Sequence, residues 1–477
     1  MPPATHSPLH VDRVLHALIP AMNSGLEEEH LSQENGRPVF VVLAFVGLGW
    51  YTVMWAVGLF GCLAARRRYK QRPRSRLATE SPGSVPGVSI LRPLKGLDTN
   101  LYENLESSFT QEYPNFEILL SVAHEDDQAL PVVRELIAKY PRVDAKVIVG
   151  EEAVGVNPKV NNLMRSYRQA ANDILWVLDS NVMMHSGAMA RSVDALQGKS
   201  RSGRRIALVH HVPFAIVNES WIGSRLDEAF LNTNHAKMYI AINTVAIDSC
   251  VMGKSNLYRR SDLERVNGSR KPIAQQDNQS NEQCGLPAFG RYLAEDNMIA
   301  SALWHELGER HELSCDVARN VVGKMSLADY IQRRARWIRV RKHMVLAATL
   351  LEPLTESVAV SAIGCASLNH IFNIPALPFL LLHFVLWLLV DLDVYSSLAG
   401  HRLPASIRWE FLGAWVGREL LALPIFFYAV FGDTVDWRGR RYQVLRNGEV
   451  RPAREGHWFG WTSRQSADYE PLGVEVD

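Results

Sequence analysis

The sequence predicts an α/β domain whose sheet is largely parallel, with membrane helices at both ends. Three observations support this prediction. Residues 38–65 contain no charged side chain, residues 87–345 alternate short β-rich runs with longer helical periods, and residues 346–432 are again apolar. Averages over the chain hide this organisation, because 51 basic residues nearly balance 50 acidic residues.

The uncharged run at residues 38–65 predicts a transmembrane signal anchor, since it exceeds the roughly 20 residues that cross a bilayer. Its flanks predict its direction. The basic linker at residues 66–86 begins with a cluster of arginines, whereas residues 1–37 hold more acids than bases. Because cationic flanks stay in the cytosol, we expect a luminal N-terminal segment and a cytosolic domain after the anchor. A linker that only contacts anionic lipid headgroups would give the same orientation.

Residues 346–432 predict membrane or interfacial helices. The apolar runs at 377–390 and 412–431 are plausible spans, although Arg418 and Glu419 interrupt the second. The run at 346–368 contains two glutamates, and a carboxylate within a span costs about 3 kcal/mol. We therefore expect a re-entrant or interfacial segment there.

The arginine-rich tail at residues 433–477 is expected on the cytosolic side of the membrane. A cytosolic tail requires an even number of crossings after the catalytic domain. One of the three apolar candidates should therefore not span, and the sequence does not say which one.

The region at residues 87–345 predicts one α/β domain, in which ligands bind beyond the carboxyl ends of the strands. A segment at 270–290, rich in Gln, Asn, Pro and Gly, predicts a flexible insertion. The expected strands cover 88–94, 117–123, 145–149 and 174–178, and the expected helices cover 128–140 and 160–171.

Several common chemistries are excluded by their missing motifs. The sequence has no phosphate-binding P-loop, dinucleotide fingerprint, nucleophile elbow, zinc-protease helix or EF-hand loop. The balanced charge argues against nucleic acid as a partner. Five scattered cysteines without a CxxC pair suggest neither a disulfide framework nor a zinc module.

What remains is a set of carboxylates at predicted strand ends. Asp98 follows the first strand, Asp126 and Asp127 follow the second, Asp179 directly follows an apolar strand, and Asp296 lies further along. A carboxylate at a sheet edge can bind Mg²⁺ together with substrate phosphate oxygens. Asp179 could instead cap the next helix, and the Asp126–Asp127 pair could belong to a solvated turn. The residues alone leave these alternatives open.

A basic stretch at residues 332–342 lies near the apolar C-terminal region. It contains Arg333, Arg336 and Trp337. Such a stretch is typical of a lipid-facing helix surface. It could also clamp phosphate, because guanidinium groups bind phosphate oxygens in a bidentate way and the tryptophan supplies an apolar wall.

Together these positions resemble the signature D, D, D, (Q/R)xxRW of inverting membrane glycosyltransferases with the GT-A fold, a Rossmann-like domain that binds nucleotide sugars. The signature falls on Asp98, Asp179, Asp296 and Arg333-x-x-Arg336-Trp337.

Longer blocks are similar to one family, the ceramide glucosyltransferases of glycosyltransferase family 21. These blocks are PLKGLD at 93–98, NPKVNNLM at 157–164, AED at 294–296 and DWRGRRY at 436–442. The long segment at 270–290 suggests a fungal-type member. The triplet Asp179-Ser180-Asn181 lacks the second acid of a DxD motif, so the divalent cation that the resemblance implies, Mg²⁺ or Mn²⁺ at Asp179, is less secure.

The resemblance implies transfer of glucose from UDP-glucose to the primary hydroxyl of ceramide, with inversion, by a multi-pass protein of the Golgi or ER membrane. Asp296 would be the general base, by its match to the third Asp of the signature. The implied substrate-binding residues are Lys159 at the phosphates, Asp98, Asp126 and Asp127 toward the nucleoside, Asp179, Arg333 and Arg336 toward the departing UDP, and Trp337 at the acceptor. His235 also matches a family histidine, although a lone histidine is often structural.

Two rival functions remain. A processive polysaccharide synthase, such as a chitin or hyaluronan synthase, shares the signature, but the apolar C-terminal region is small for a polymer channel. A non-catalytic membrane protein that binds lipid or acts as a scaffold would tolerate replacement of the carboxylates. The partners expected here are UDP-glucose, ceramide and membrane lipid, with no nucleic acid.

Overall fold

The computed structural model describes residues 11–273, 283–437 and 440–453, with side chains from residue 38 onward. The chain forms two compact units. The larger unit comprises residues 57–356 and the chain from 387 onward, and the smaller comprises the chain up to residue 56 together with 357–386.

The larger unit is built on an eight-stranded mixed sheet with strand order β3-β2-β1-β4-β7-β6-β8-β5. Strands β3, β2, β1 and β4 are parallel, whereas β7 is antiparallel to both of its neighbours. The strands are β1 (Val88–Pro93), β2 (Phe116–Val122), β3 (Asp144–Val149), β4 (Ile174–Leu178), β5 (Val182–Met183), β6 (Ile206–Val217), β7 (Ser255–Arg259) and β8 (Arg310–Val322).

Helices cover both faces of this sheet. Ile90 and Leu91 are adjacent on β1 and both fully buried, and they belong to different apolar clusters on the two sides. The helices of this domain are α2 (Leu101–Phe109), α3 (Leu130–Lys139), α4 (Pro158–Gln169), α5 (Ala188–Gln197), α6 (Ile222–Phe230), α7 (Ala236–Val245), α8 (Arg260–Leu263), α9 (Glu295–His305) and α10 (Leu327–Met344).

The predicted α/β class is confirmed, and the four predicted strands match β1–β4 to within one residue. The expectation of a largely parallel sheet is confirmed as well: β6 and β8 pair in parallel and run in the same direction as β1–β4, and among the described strands of this sheet β5 and β7 are reversed. Strands β6 and β8, the two longest, are not predicted from the sequence. The reason is that buried polar residues such as His210, His211 and Asp316 interrupt their apolar patterns.

The predicted insertion at 270–290 is only partly described, since residues 274–282 lie outside the described residues. The last part of this segment, at residues 285–290, contributes to the core of the domain. Gly285 adopts a φ of +79°, which favours glycine, and the turn that follows places Leu286 and Phe289 in the core. The flexible character predicted for these last residues is therefore wrong.

Apolar helices flank the domain on both sides in sequence. Helix α1 (Val11–Tyr69) precedes it, and α11 (Leu346–Leu351), α12 (Ser357–Phe372), α13 (Ala376–Ala399) and α14 (Arg408–Val430) follow it. By length and composition, 38–69, 376–399 and 405–430 could each cross a membrane, and the segment 346–372 is broken at residue 356. The predicted N-terminal and C-terminal membrane helices are thus present.

The smaller unit is a bundle of α1, α12 and the first part of α13. Small residues let the helices approach closely, because a side chain at Gly47 would collide with Ser367 and one at Gly364 would collide with Tyr51. The Tyr51 hydroxyl also lies 3.2 Å from Nδ1 of His383 on α13.

The tail forms a small antiparallel sheet that packs on the α/β domain. Its strands are β9 (Thr434–Trp437), β10 (Arg440–Val444) and β11 (Val450–Pro452). Val450 N donates to the Arg291 carbonyl at 3.0 Å, and Tyr442 and Val444 pack with Val340 of α10. Residues 454–477 lie outside the described residues.

A buried ion pair joins the α/β domain to α13 and α14. Lys237 of α7 is fully buried, and its Nζ lies 2.8 Å from Oδ1 of Asp391 and 4.0 Å from the centre of the Trp387 ring. Trp415 Nε1 donates to the other oxygen of Asp391 at 2.9 Å. Both charges are therefore compensated without water.

We predict that Lys237→Met lowers the free energy of unfolding by about 3–5 kcal/mol, because it leaves the buried Asp391 carboxylate without its cation. The double variant Lys237→Met/Asp391→Asn should recover much of this loss, since the amide keeps the contact with Trp415 and carries no charge. Thermal unfolding in detergent micelles measures both effects. Equal stability of the single variant and the unmodified protein would contradict this role for the ion pair.

Candidate functional site

Charged side chains gather where β1, β2 and β4 end, the edge at which ligands bind in sheets of this kind. Asp98 and Asp127 lie in the loops after β1 and β2, and Asp179 directly follows β4. The antiparallel strand β7 starts beside the end of β4, because Ser255 pairs with Leu178. This reversal brings Lys254 next to Asp179, whose N–H donates to the Lys254 carbonyl at 3.2 Å.

Asp179 lies between two ammonium groups. Its Oδ1 is 2.8 Å from Lys159 Nζ, and its Oδ2 is 3.1 Å from Lys254 Nζ. Lys159 also contacts Glu295 at 2.9 Å. Burial opposes ionisation of Asp179, but the two ammonium groups outweigh it and hold its pKa below the ordinary range. Asp179 is therefore ionised at neutral pH.

The block at 157–164 folds as the beginning of α4 because Asn157 caps it. The Asn157 carboxamide oxygen accepts from Lys159 N at 2.8 Å, and Pro158 occupies the first turn, where no N–H is needed. Asn157 Nδ2 donates to Glu295 at 2.8 Å. Asn157 therefore fixes both the helix that carries Lys159 and the Glu295 carboxylate that pairs with Lys159.

Two residues of this cluster escaped the sequence analysis. In the sequence, Glu295 is distinguished only by its position next to Asp296, and Lys254 belongs to no motif. The loop before β7 holds Lys254 in place, because the Tyr239 hydroxyl accepts from Met252 N at 3.0 Å. Lys254 Nζ also donates to Asn181 Oδ1 at 3.1 Å. Only the tertiary pairing of β4 with β7 reveals its position.

Asp296 lies in the first turn of α9, half-buried, beside the same loop. A side chain at Gly253 would collide with its carboxylate. Burial and the neighbouring Glu295 carboxylate raise the pKa of Asp296 to about 7, although Lys159 acts in the opposite direction. Such a carboxylate can both accept and release a proton near neutral pH.

The predicted nucleoside-side carboxylates have different surroundings. Asp98 accepts a short hydrogen bond from the Ser180 hydroxyl. Asp127 accepts from Gly96 N at 3.0 Å and from Ala129 N at 2.9 Å, so it links the loops after β1 and β2. Asp126 is exposed, as a residue of a solvated turn would be.

The basic motif lies on α10. Arg333 pairs with the fully buried Asp227 at 3.4 Å and lies 4.7 Å from the centre of the Trp337 ring. Burial lowers the pKa of Lys254, and the positive charge of Arg333 contributes to this shift. Arg333 is therefore electrostatically coupled to the cluster around Asp179 without contacting it. Arg336, on the same helix, is half-buried.

His235 ends the π-helical segment Leu231–His235 between α6 and α7. Its ring stacks on Tyr239 at 5.5 Å and lies 5.2 Å from Phe230. Burial, with the charges of Arg334 and its neighbours, lowers the pKa of His235 to about 3, so the imidazole stays neutral. Its Nδ1 has no partner within the described part of the chain. Short π-helical segments often occur at functional sites.

The predicted metal site does not fit the donor set around Asp179 in this arrangement. Both oxygens of Asp179 already contact ammonium groups. Among the residues that the structure describes, no group of three or more His, Cys, Asp or Glu side chains could hold a metal ion. A divalent cation at Asp179 would have to compete with these two ammonium groups.

Comparison with known proteins identifies the family to which the chain is related. The profile of the family described as "Glycosyl transferase family 21" matches residues 51–450. A ceramide glucosyltransferase of Komagataella phaffii is 38% identical, over 84% of this chain and 90% of its own length. A ceramide glucosyltransferase of Candida albicans is 31% identical, over 85% of this chain and 97% of its own length.

Among solved structures, a mannosyltransferase from Pyrobaculum calidifontis in complex with GDP-Man and Mn²⁺ is 15% identical, covering 80% of this chain and 99% of its own, with a TM-score of 0.43. The family match includes the blocks at 93–98, 157–164, 294–296 and 436–442, and the two relatives extend over most of the chain. This chain belongs to glycosyl transferase family 21.

Proposed function

We propose that this glycosyltransferase transfers glucose from UDP-glucose to the primary hydroxyl of ceramide, with inversion at the anomeric carbon. The observation that carries the proposal is the pairing of a carboxylate of raised pKa, Asp296, with two lysines on the adjacent Asp179. A base for the acceptor and cations for the departing diphosphate thus lie at one edge of the sheet. The names of the two fungal relatives support ceramide as the acceptor and glucose as the transferred sugar.

Asp296 acts as the general base. Its carboxylate takes the proton of the ceramide hydroxyl as that oxygen forms a bond to the anomeric carbon, and the bond from this carbon to the β-phosphate oxygen of UDP breaks. The electron pair of the broken bond leaves with UDP. A positioned base of this kind contributes about 10²–10⁴-fold to the rate.

Lys254 and Lys159 stabilise the charge that develops on UDP. Lys254 uses two of its three N–H groups on Asp179 and Asn181, so one remains for a phosphate oxygen. Asp179 keeps both lysines protonated and oriented before the substrate arrives, and preorganised charge of this kind is effective in catalysis.

The acceptor is proposed to enter beside α10 and the π-helical segment. Trp337 packs 6.3 Å from the Phe230 ring and forms an apolar wall there. His235 remains neutral, so its unpartnered Nδ1 can donate or accept a hydrogen bond, according to its tautomer, with the uncharged headgroup of ceramide. Arg333 and Arg336 add positive potential on the side of the departing UDP.

We propose that the catalytic domain faces the cytosol from the Golgi or ER membrane. The arginine cluster after residue 65 supports this orientation by the positive-inside rule. A polysaccharide synthase is not favoured, because the relatives match nearly their whole length to this chain. Membranes supplied with labelled UDP-glucose, with or without ceramide, test the choice between these two activities: polymer formed without ceramide would contradict the proposal.

We predict that Asp296→Asn lowers kcat for glucosylceramide formation by about 10²–10⁴-fold, because the amide cannot accept the proton. The KM for UDP-glucose should change little. Asp126→Asn is the matched control, since Asp126 is exposed, and it should keep near-normal activity. Radiolabelled glucose incorporated into lipid measures both. Full activity of Asp296→Asn would remove Asp296 from this role.

The raised pKa of Asp296 predicts the pH dependence of the reaction. The base must be ionised, so kcat/KM for ceramide should fall about tenfold per pH unit below a pKa of about 7 and level off above it. Glu295→Gln removes a charge that raises this pKa, so the inflection should move to lower pH. An unchanged inflection in Glu295→Gln would show that another group titrates.

We predict that Lys254→Met raises the KM for UDP-glucose by about 10- to 100-fold, as expected for loss of a charge-assisted hydrogen bond. Lys254→Arg should retain most of the affinity, because it restores the positive charge. Lys199→Met, at an exposed lysine, is the control. Calorimetric titration with UDP measures binding separately from the chemical step. Equal affinities for UDP in all variants would contradict the assignment of Lys254 to the diphosphate.

A further inference from the structure

Helix α14 is apolar enough to cross a membrane, yet both of its ends contact the α/β domain. At its N-terminal end, Glu410 pairs with Arg225 at 3.2 Å and accepts a short hydrogen bond from Ser220. At its C-terminal end, Lys342 donates to the Val430 carbonyl at 2.9 Å, and Arg339 contacts the Ala429 carbonyl at 3.4 Å.

These two ends are separated by a length similar to the thickness of a bilayer core. From residue 410 to residue 430 a helix rises about 30 Å, and the hydrocarbon core is also about 30 Å thick. If α14 crossed the membrane, Arg225 and Lys342 would lie near opposite membrane surfaces. Both belong to one domain with a continuous hydrogen-bonded sheet, so a crossing would carry that polar domain through the bilayer.

The two charges at the middle of α14 lie on its inward face. Arg418 and Glu419 are buried, and Arg418 pairs with Glu356 beside α10 and with Glu419. Leu226 of α6 packs against Gly417 at the middle of the helix. The residues that argued against a span in the sequence therefore point into the protein, where they are paired.

The outward face is an apolar stripe with helical spacing. Its large side chains are Trp409, Val416, Leu420, Phe427 and Phe431, and their exposed fractions run from 50% to 86%. The spacings of seven and four residues place all five on one face. Helix α14 therefore exposes large apolar side chains, whereas a helix on a domain that faces water exposes polar ones. Its buried face combines the charged pair at its middle with apolar side chains such as Phe411 and Phe426.

Helix α14 also contacts α13. Trp415 donates to Asp391 of α13, and Phe411 packs 5.3 Å from Tyr395 of α13. Helix α13 is one of the helices long and apolar enough to cross a membrane. After α14, the chain returns to the α/β domain, where β9–β11 pack on α10.

We infer that α14 does not cross the bilayer but lies in the plane of its surface, on the side of the catalytic domain, with the apolar stripe buried in lipid. The tail then remains on the side of the catalytic domain, where β9–β11 pack on α10. Amphipathic helices in this position bury their apolar face into the boundary between headgroups and acyl chains. The inference does not depend on the identity of the sugar or of the acceptor.

The depth of single spin labels along α14 tests this inference. In a variant whose five cysteines are replaced, a label is placed at Trp409, Leu420 or Phe431, all on the exposed face, so packing inside the protein is left unchanged. The protein is reconstituted in phosphatidylcholine vesicles with one fifth phosphatidylserine as a test composition, and collision with oxygen and with a water-soluble nickel complex reports depth. Control labels are placed at Leu386 of α13 and at Glu135 on the water-exposed face of α3.

The expected result is one shallow depth for all three α14 labels, between those of Glu135 and Leu386. A label at Leu420 that lies about 15 Å deeper than both ends, the rise of half the helix, would show a crossing and overturn the inference. Three labels at the depth of Glu135 would also overturn it, because the stripe would then face water. Dipolar broadening from singly labelled protein would assign the stripe to a second copy of the chain and overturn its assignment to lipid.

Discussion

The catalytic edge of this protein depends on the charge balance at Asp179, which holds two ammonium groups at the end of β4. The Asp179 carboxylate favours the protonated form of both lysines in this half-buried position, and Glu295 gives Lys159 a second carboxylate. The balance in turn requires the antiparallel strand β7, since only that direction delivers Lys254 beside the residue after β4. The same loop carries Gly253 against Asp296, so the positions of Asp296 and of Lys254 are set by one backbone segment.

A second constraint acts at the membrane side, where buried charges appear only in compensated sets. Lys237 with Asp391, and Arg418 with Glu356, join the α/β domain to predominantly apolar helices. Buried pairs are costly to break because an uncompensated charge remains. They therefore favour one register of α7, α13 and α14. The catalytic edge is attached to the membrane region through α7, whose Tyr239 also holds the loop before β7.

The predictive value of the sequence differed between parts of the chain. Strands β1–β4 were located to within one residue because their apolar runs are short, continuous and bounded by polar turns. The strand ends then identified Asp98, Asp127 and Asp179, and the family resemblance supplied Asp296 and Lys159. Strands β6 and β8 were missed because their buried polar residues find partners in the folded chain that no local pattern shows. Glu295 and Lys254 were missed for the related reason that each acquires its role from a partner distant in sequence.

The sequence by itself determined the order of anchor, α/β domain and apolar helices, the family, and the carboxylates at the sheet edge, since these follow from composition, periodicity and motifs along one chain. The tertiary structure decided the direction of β7, the lysine pair on Asp179, the raised pKa of Asp296 and the orientation of the charges on α14. Those properties arise from burial and from charges brought together over long sequence separations. Electrostatic energies depend on distance in space, and only the folded chain sets those distances.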